Sequence, residues 1–146
     1  MKITSPAFKN GKIIPSNYTC DGEDINPELN FADIPQDCAS LVLVVDDPDS
    51  PAKVWTHWVV FNISPDTNTV DEDSVPEGAG LGMTDFRKPG YGGPCPGSGA
   101  HRYFFRLYAL DVKLDLADGA DKHSLDEEME GHILESAELM GKYERS

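Results

Sequence analysis

The run Ser40-Leu41-Val42-Leu43-Val44-Val45 constrains the fold most, because its apolar residues are continuous rather than alternating. A strand of that kind must be buried on both faces. It ends at Asp46-Asp47-Pro48-Asp49-Ser50-Pro51, a segment built from turn-forming residues. Two further runs match it in strength: Thr56 to Ile63, where Trp55, Trp58 and Phe61 add aromatic bulk, and Arg102 to Leu110. All three are expected as central strands. Shorter strands are expected at Ile3 to Phe8, Lys12 to Ile14, Leu29 to Phe31 and near Thr69-Val70, with turns at Asn10-Gly11 and Asp21-Gly22. The chain therefore reads as mainly β, and its 146 residues predict a single domain over 1–146.

Helical periodicity appears only near the end, where Leu125, Met129, Ile133, Ala137 and Met140 recur at spacings of three and four. The spacing predicts one C-terminal amphipathic helix with Ser124 as N-cap and Glu127 at the capping-box position. Asp126, Glu127 and Glu128 would then occupy its first turn, near the positive end of the dipole. Gly131 falls inside this helix at a cost of about 1 kcal/mol relative to Ala, which suggests a close helix-to-sheet contact. Residues 71–100 are rich in Gly and Pro and form a long loop of the kind that serves a site.

Twelve basic against 26 acidic residues give a formal net charge of −14, a field that repels nucleic acid and anionic lipid surfaces. A local pocket can still hold an anion, since fixed donors at contact distance outweigh charges screened beyond about 8 Å. No apolar run reaches bilayer-spanning length, and the start Met1-Lys2-Ile3-Thr4-Ser5-Pro6 lacks the apolar core of a secretory signal, so a cytoplasmic location is expected. Cys20, Cys38 and Cys95 form no close-spaced pair and leave at least one thiol free, which suits a reducing compartment and excludes a CxxC-type zinc site.

Two constellations could carry chemistry. In Asp46-Asp47-Pro48-Asp49-Ser50-Pro51, a carboxylate held at a strand end could orient a histidine, and His57 and His101 each stand at or beside the start of a strong strand. The same residues also fit a solvated acidic turn and two packed histidines. The second constellation is Pro89-Gly90-Tyr91-Gly92-Gly93-Pro94-Cys95-Pro96-Gly97-Ser98-Gly99-Ala100-His101, whose glycines let backbone N–H groups converge on an anion. It lacks the Gly-Lys-Ser/Thr ending of a nucleotide phosphate loop, and it also fits a plain Gly/Pro connection. Cys95 is a poor nucleophile candidate because the next residue, Pro96, has no N–H for an oxyanion hole, and Ser98 fails the Gly-x-Ser-x-Gly pattern. A metal site from Asp47, Asp49, His57 and His101 is chemically possible, though no close ligand pair supports it.

Taken together, Asp47-Pro48-Asp49-Ser50-Pro51, Thr56-His57-Trp58-Val59-Val60-Phe61-Asn62-Ile63, Gly92-Gly93-Pro94-Cys95-Pro96 and His101-Arg102-Tyr103 resemble the phosphatidylethanolamine-binding protein family, in its bacterial and archaeal Raf kinase inhibitor-like branch. The resemblance extends to Tyr18-Thr19-Cys20-Asp21-Gly22 and Met129-Glu130-Gly131-His132-Ile133-Leu134. It implies a β-sandwich with a small anion pocket at one edge, taking phosphate, acetate or a phosphoryl head group. By motif, Asp47, His57, His101 and Tyr103 would line it, with Asp49 and the Gly93-Pro94 backbone close by. Gly82-Met83-Thr84-Asp85 departs from an Arg-Asn-Asp run common in that branch, and Gly97 stands where a second proline is common. The resemblance further implies a homodimer. The expected function is non-enzymatic, cofactor-free binding of a small phosphorylated or carboxylated ligand, or of a phosphorylated side chain on a protein partner. Two rival readings are an inhibitory module acting on a kinase or protease, and a weak hydrolase or metalloenzyme using Cys95 or the Asp/His set.

Overall fold

Burial on both faces is what the strand at Ser40–Asp47 receives, all eight residues being buried. In the computed structural model, which describes residues 1–146, this strand (β3) is the middle of a five-stranded antiparallel sheet. Its neighbours are Trp55–Ile63 (β4) and His101–Leu110 (β7), so the three strong runs are the central strands, and Gly80–Leu81 (β6) and Ile133–Tyr143 (β8) form the edges. A smaller sheet of Lys2–Thr4 (β1), Leu29–Ala32 (β2) and Thr69–Val70 (β5) covers one face. The main core lies between the sheets, around Leu41, Leu43, Val45, Trp58, Val60, Phe105 and Leu107. Alternate residues, Val42, Val44, Val59 and Phe61, point the other way, onto Leu114 and the helix Lys122–Met129 (α1). The continuous apolar run thus reflects two cores sharing one strand.

The C-terminal helix is shorter than the periodicity predicts. It begins a turn earlier, capped by the Asp121 carboxylate, which accepts from the Ser124 N–H at 2.8 Å, so Ser124 is not the cap and the acidic run 126–128 lies in the second turn. It ends at Met129 because Gly131 takes the left-handed conformation (φ +81°) with open space where a Cβ would stand. Gly131 is therefore a helix terminator and makes no close contact. Ile133, Ala137 and Met140 belong instead to β8, which pairs with β7 from His101↔Tyr143 to Leu110↔Ile133. In its second half the buried positions are Leu139, Gly141 and Tyr143, a period of two that the apolar spacing 133/137/140 had masked.

Two register shifts in the β3–β4 ladder each insert one extra residue in β4. One lies between the pairs Leu41↔Ile63 and Leu43↔Val60, where Asn62 sits at φ +54° and its amide exchanges two hydrogen bonds with Leu114, pinning the segment that covers the outer core. The other lies between Val45↔Trp58 and Asp46↔Thr56 and leaves His57 without an opposite number.

Cys20 and Cys95 form a disulfide, and only Cys38, buried, is free. At least one free thiol is thus present, as expected, while the other two cysteines are paired. The two half-cystines are far apart in sequence but lie on segments that pack backbone against backbone: a Cβ on Gly93 would strike the Tyr18 carbonyl, and Cys20 N–H donates to the Pro94 carbonyl at 3.1 Å. No helix is long and apolar enough to cross a membrane.

Candidate anion-binding site

The bulge at His57 decides where the site forms. Trp58 faces the main core, so regular alternation would turn His57 to the opposite side of the sheet. The extra residue makes both face inward, while Thr56 lines a hollow on the helix side with Asp46 and Lys122. His57 thereby joins Asp47, His101 and Tyr103, which reach the same end of the sandwich from β3 and β7. These four, with Trp55, Phe86, Cys95, Pro96 and others, line a cavity of about 330 Å³.

Each ring is fixed by a specific partner. His57 and Gly92 clamp each other: the ring Nδ1–H donates to the Gly92 carbonyl at 2.7 Å, and the Gly92 N–H donates to the His57 carbonyl at 3.0 Å. A carbonyl can only accept, so the His57 proton resides on Nδ1. Burial pushes the His57 pKa down, against the opposing pull of the Gly92 carbonyl and the Asp47 and Asp46 carboxylates. His101 Nδ1 lies 2.7 Å from Asp47 Oδ2 and donates to it, while Asp47 Oδ1 accepts from the Asp49 N–H at 2.8 Å. Both carboxylate oxygens are thus occupied. Tyr103 stands between the histidines, edge-on to His57 at 5.3 Å and stacked on His101 at 6.4 Å between centroids. Its hydroxyl is fully buried and has no hydrogen-bond partner; Asp47 and the Cys95 amide influence it from nearby without bonding geometry. Burial, reinforced by the Asp47 charge, holds that phenol well above its ordinary range, so it stays a donor.

Not every predicted site residue lines the cavity. Asp49 turns to the rim, where it accepts from the Arg102 backbone N–H, Nε and Nη2 at 2.9 Å each, and its pKa is lowered to about 2, chiefly by those side-chain bonds. Gly93 and Pro94 lie behind the wall: the Gly93 N–H donates to Asp24 Oδ1 at 2.7 Å and the Pro94 carbonyl accepts from Cys20. With the Gly92 and Gly93 N–H groups committed, these two amides do not form the anion nest suggested by the glycine density. Trp55, Phe86 and Pro96 were missed, and so was Asp85, whose carboxylate accepts from Thr56 N–H at 2.6 Å and Lys53 Nζ at 2.9 Å and so anchors the strand beside His57. The motif departure at Gly82 to Asp85 was the available signal. No group of three His, Cys, Asp or Glu side chains is arranged to hold a metal ion, so Asp47, Asp49, His57 and His101 do not assemble as a ligand set.

A family model described as phosphatidylethanolamine-binding protein matches residues 4–144. The chain belongs to this family. Among similar family members, a UPF0098 protein from Methanothermobacter thermautotrophicus is 52% identical over 99% of both chains, and one from Aquifex aeolicus is 47% identical over 99% of this chain and 89% of its own. The crystal structure of a phosphatidylethanolamine-binding protein homologue from Chlamydia trachomatis superposes with a TM-score of 0.95 at 43% identity, covering 99% of this chain and 97% of its own. Escherichia coli YbcL, described as a new member of the mammalian family, gives a TM-score of 0.93 at 27% identity, with 99% and 98% covered. The β-sandwich fold of this family member is shared with both.

Proposed function

We propose that this family member binds a small oxyanion, such as phosphate, a phosphomonoester or a carboxylate, in the cavity between His57, His101 and Tyr103, and performs no chemistry on it. The observation that carries this reading is the orphaned Tyr103 hydroxyl: a buried donor without a partner costs roughly 1–3 kcal/mol, which an oxygen ligand would recover. The His101–Asp47 pair adds a second donor, since with Nδ1 turned to Asp47 the imidazolium form presents Nε2–H to the cavity. A thiol hydrolase is disfavoured because the Cys95 sulfur is held in a disulfide and Pro96 offers no N–H.

Calorimetric titration with inorganic phosphate and phenyl phosphate tests the assignment. His101→Ala is expected to weaken binding by about 1.5–3 kcal/mol, the range for a charge-assisted hydrogen bond. Asp47→Asn is expected to weaken it too, because an amide supplies one acceptor where Asp49 N–H and His101 each need one. A purely Coulombic pocket would gain affinity on losing the carboxylate. Unchanged affinity in His101→Ala, or tighter binding in Asp47→Asn, rejects the site.

A further inference from the structure

The two cavity histidines share one wiring, but only His57, held by a neutral carbonyl, turns a lone pair to the cavity, whereas His101, bonded to the Asp47 carboxylate, is the ring whose imidazolium form donates through Nε2. Each ring commits Nδ1 as a donor, to the Gly92 carbonyl in His57 and to Asp47 in His101, and neither Nε2 has a partner in the protein. A neutral imidazole carries one proton, so Nε2 of a ring protonated at Nδ1 offers a lone pair. An oxygen that also has only lone pairs to offer is repelled there. Tyr103 supplies the opposite sense, an O–H with nothing to donate to.

We propose that the cavity selects an oxyanion that still carries a proton, dihydrogen phosphate or the monoanion of a phosphomonoester, over a fully deprotonated oxyanion of the same size. His57 Nε2 accepts the hydroxyl of the ligand, and the Tyr103 hydroxyl donates to one of its bare oxygens. His57 is thus the residue that sets specificity. The proposal rests on the oxyanion reading above and deepens it.

The surroundings of His57 favour the neutral ring this requires. It is 3% exposed, packed edge-on against Phe86 at 5.2 Å and Tyr103 at 5.3 Å, and burial opposes a charge on it. The charged groups that act on it are Asp46 and Asp47 from β3 and Asp85 from the loop preceding Gly92, and His101 lines the same cavity from β7. The nearer carboxylate, Asp47, is bonded through Oδ2 to His101 rather than to His57. The same carboxylates, within a chain of net charge −14, penalise a dianion more than a monoanion, so charge and proton inventory select in one direction. A site that needs a ligand hydroxyl leaves a polar group unpaired when the hydroxyl is missing, which is an effective basis for rejection.

The test is titration of the oxidised full chain with inorganic phosphate and with sulfate at pH 6.5 and constant ionic strength, repeated with His57→Phe, which keeps an aromatic ring against Phe86 and Tyr103 but removes the acceptor. Phosphate is expected to bind the native chain at least tenfold more tightly than sulfate, and His57→Phe to lose most of that ratio through weaker phosphate binding. Nitrogen NMR of the native chain, independent of whether the variant folds, is expected to show His57 protonated at Nδ1 alone with phosphate bound. Equal affinity for the two ions, a ratio unchanged in His57→Phe, or a doubly protonated His57 in the complex overturns the selectivity while leaving the oxyanion reading intact. Failure of the native chain to bind either ion at millimolar concentration overturns both.

Discussion

Breaking the Cys20–Cys95 bond should cost more stability than any substitution in the cavity. The half-cystines are 75 residues apart, and closing a loop of that length in the unfolded chain is worth ~4.5 kcal/mol in the chain-entropy treatment. The loss on reduction falls short of that figure to the extent that the reduced, unfolded chain keeps residual structure, while Cys20 N–H to Pro94 at 3.1 Å and Gly93 N–H to Asp24 at 2.7 Å hold the two segments together in the folded protein in either redox form. The expected loss is therefore about 2–4 kcal/mol, or roughly 6–12 °C in Tm for a chain of this size. Thermal unfolding of the oxidised protein, of the protein reduced with a phosphine and of the Cys20→Ser/Cys95→Ser double variant measures it, with the last two expected to agree. Thiol titration in denaturant should find one thiol per chain, Cys38, before reduction. The same variant should bind phosphate within a few-fold of the native chain, since the Cys95 side chain forms wall and makes no hydrogen bond to the four pocket residues, and its backbone is unchanged. Three thiols before reduction, or a Tm difference below about 2 °C, would refute the reasoning.

His57 should make stability depend on pH. Its folded pKa lies below the ordinary 6.5, so the unfolded chain takes up a proton first as pH falls, and the stabilisation present above that range is lost on acidification; His57→Gln should flatten the slope of unfolding free energy between pH 7 and 5, and an unaltered slope counts against a neutral buried ring. Gly93→Ala should destabilise by about 1–3 kcal/mol, since its Cβ meets the Tyr18 carbonyl and the Thr19 Cα on backbone that must shift. Gly97→Ala, whose Cβ meets nothing within 4 Å, should leave the urea midpoint nearly unchanged and serves as its control.

The three central strands were legible because their composition matches their burial: continuous where both faces are covered, as at 41–45, and alternating where one is more open, as along β7. The long β8 was not legible, because Ile133, Ala137 and Met140 recur at helical spacing over a segment whose buried positions, Leu139, Gly141 and Tyr143, follow the strand period, and the decision rests with pairing partners far away on β7. Asp47, His57, His101 and Tyr103 could be named from motifs, but their convergence depends on one unpaired residue in β4 that no periodicity reveals. Asp49 and Gly93, named with them from the same motifs, serve other ends in the structure, one clamping Arg102 and the other allowing two backbones to touch. The disulfide had a faint signal: each cysteine stands two positions from a glycine, Gly22 or Gly93, whose missing side chain permits a close backbone approach.

The extra residue at His57 separates what the fold tolerates from what the pocket tolerates. Deleting Thr56 would let β4 run in step with β3 from Val45↔Trp58 outward, an improvement for the ladder, and every core side chain from Trp58 onward would keep its place. His57 would then stand opposite Asp46, on the far side of the sheet and on the side of Arg106, with the sheet between it and Tyr103. A shortened protein of this kind would keep the core beyond Trp58, at the cost of the Asp85 and Gly92 bonds to this strand, while its two imidazoles no longer shared a cavity. The count of residues in this strand, and not the histidine alone, therefore decides whether the pocket forms.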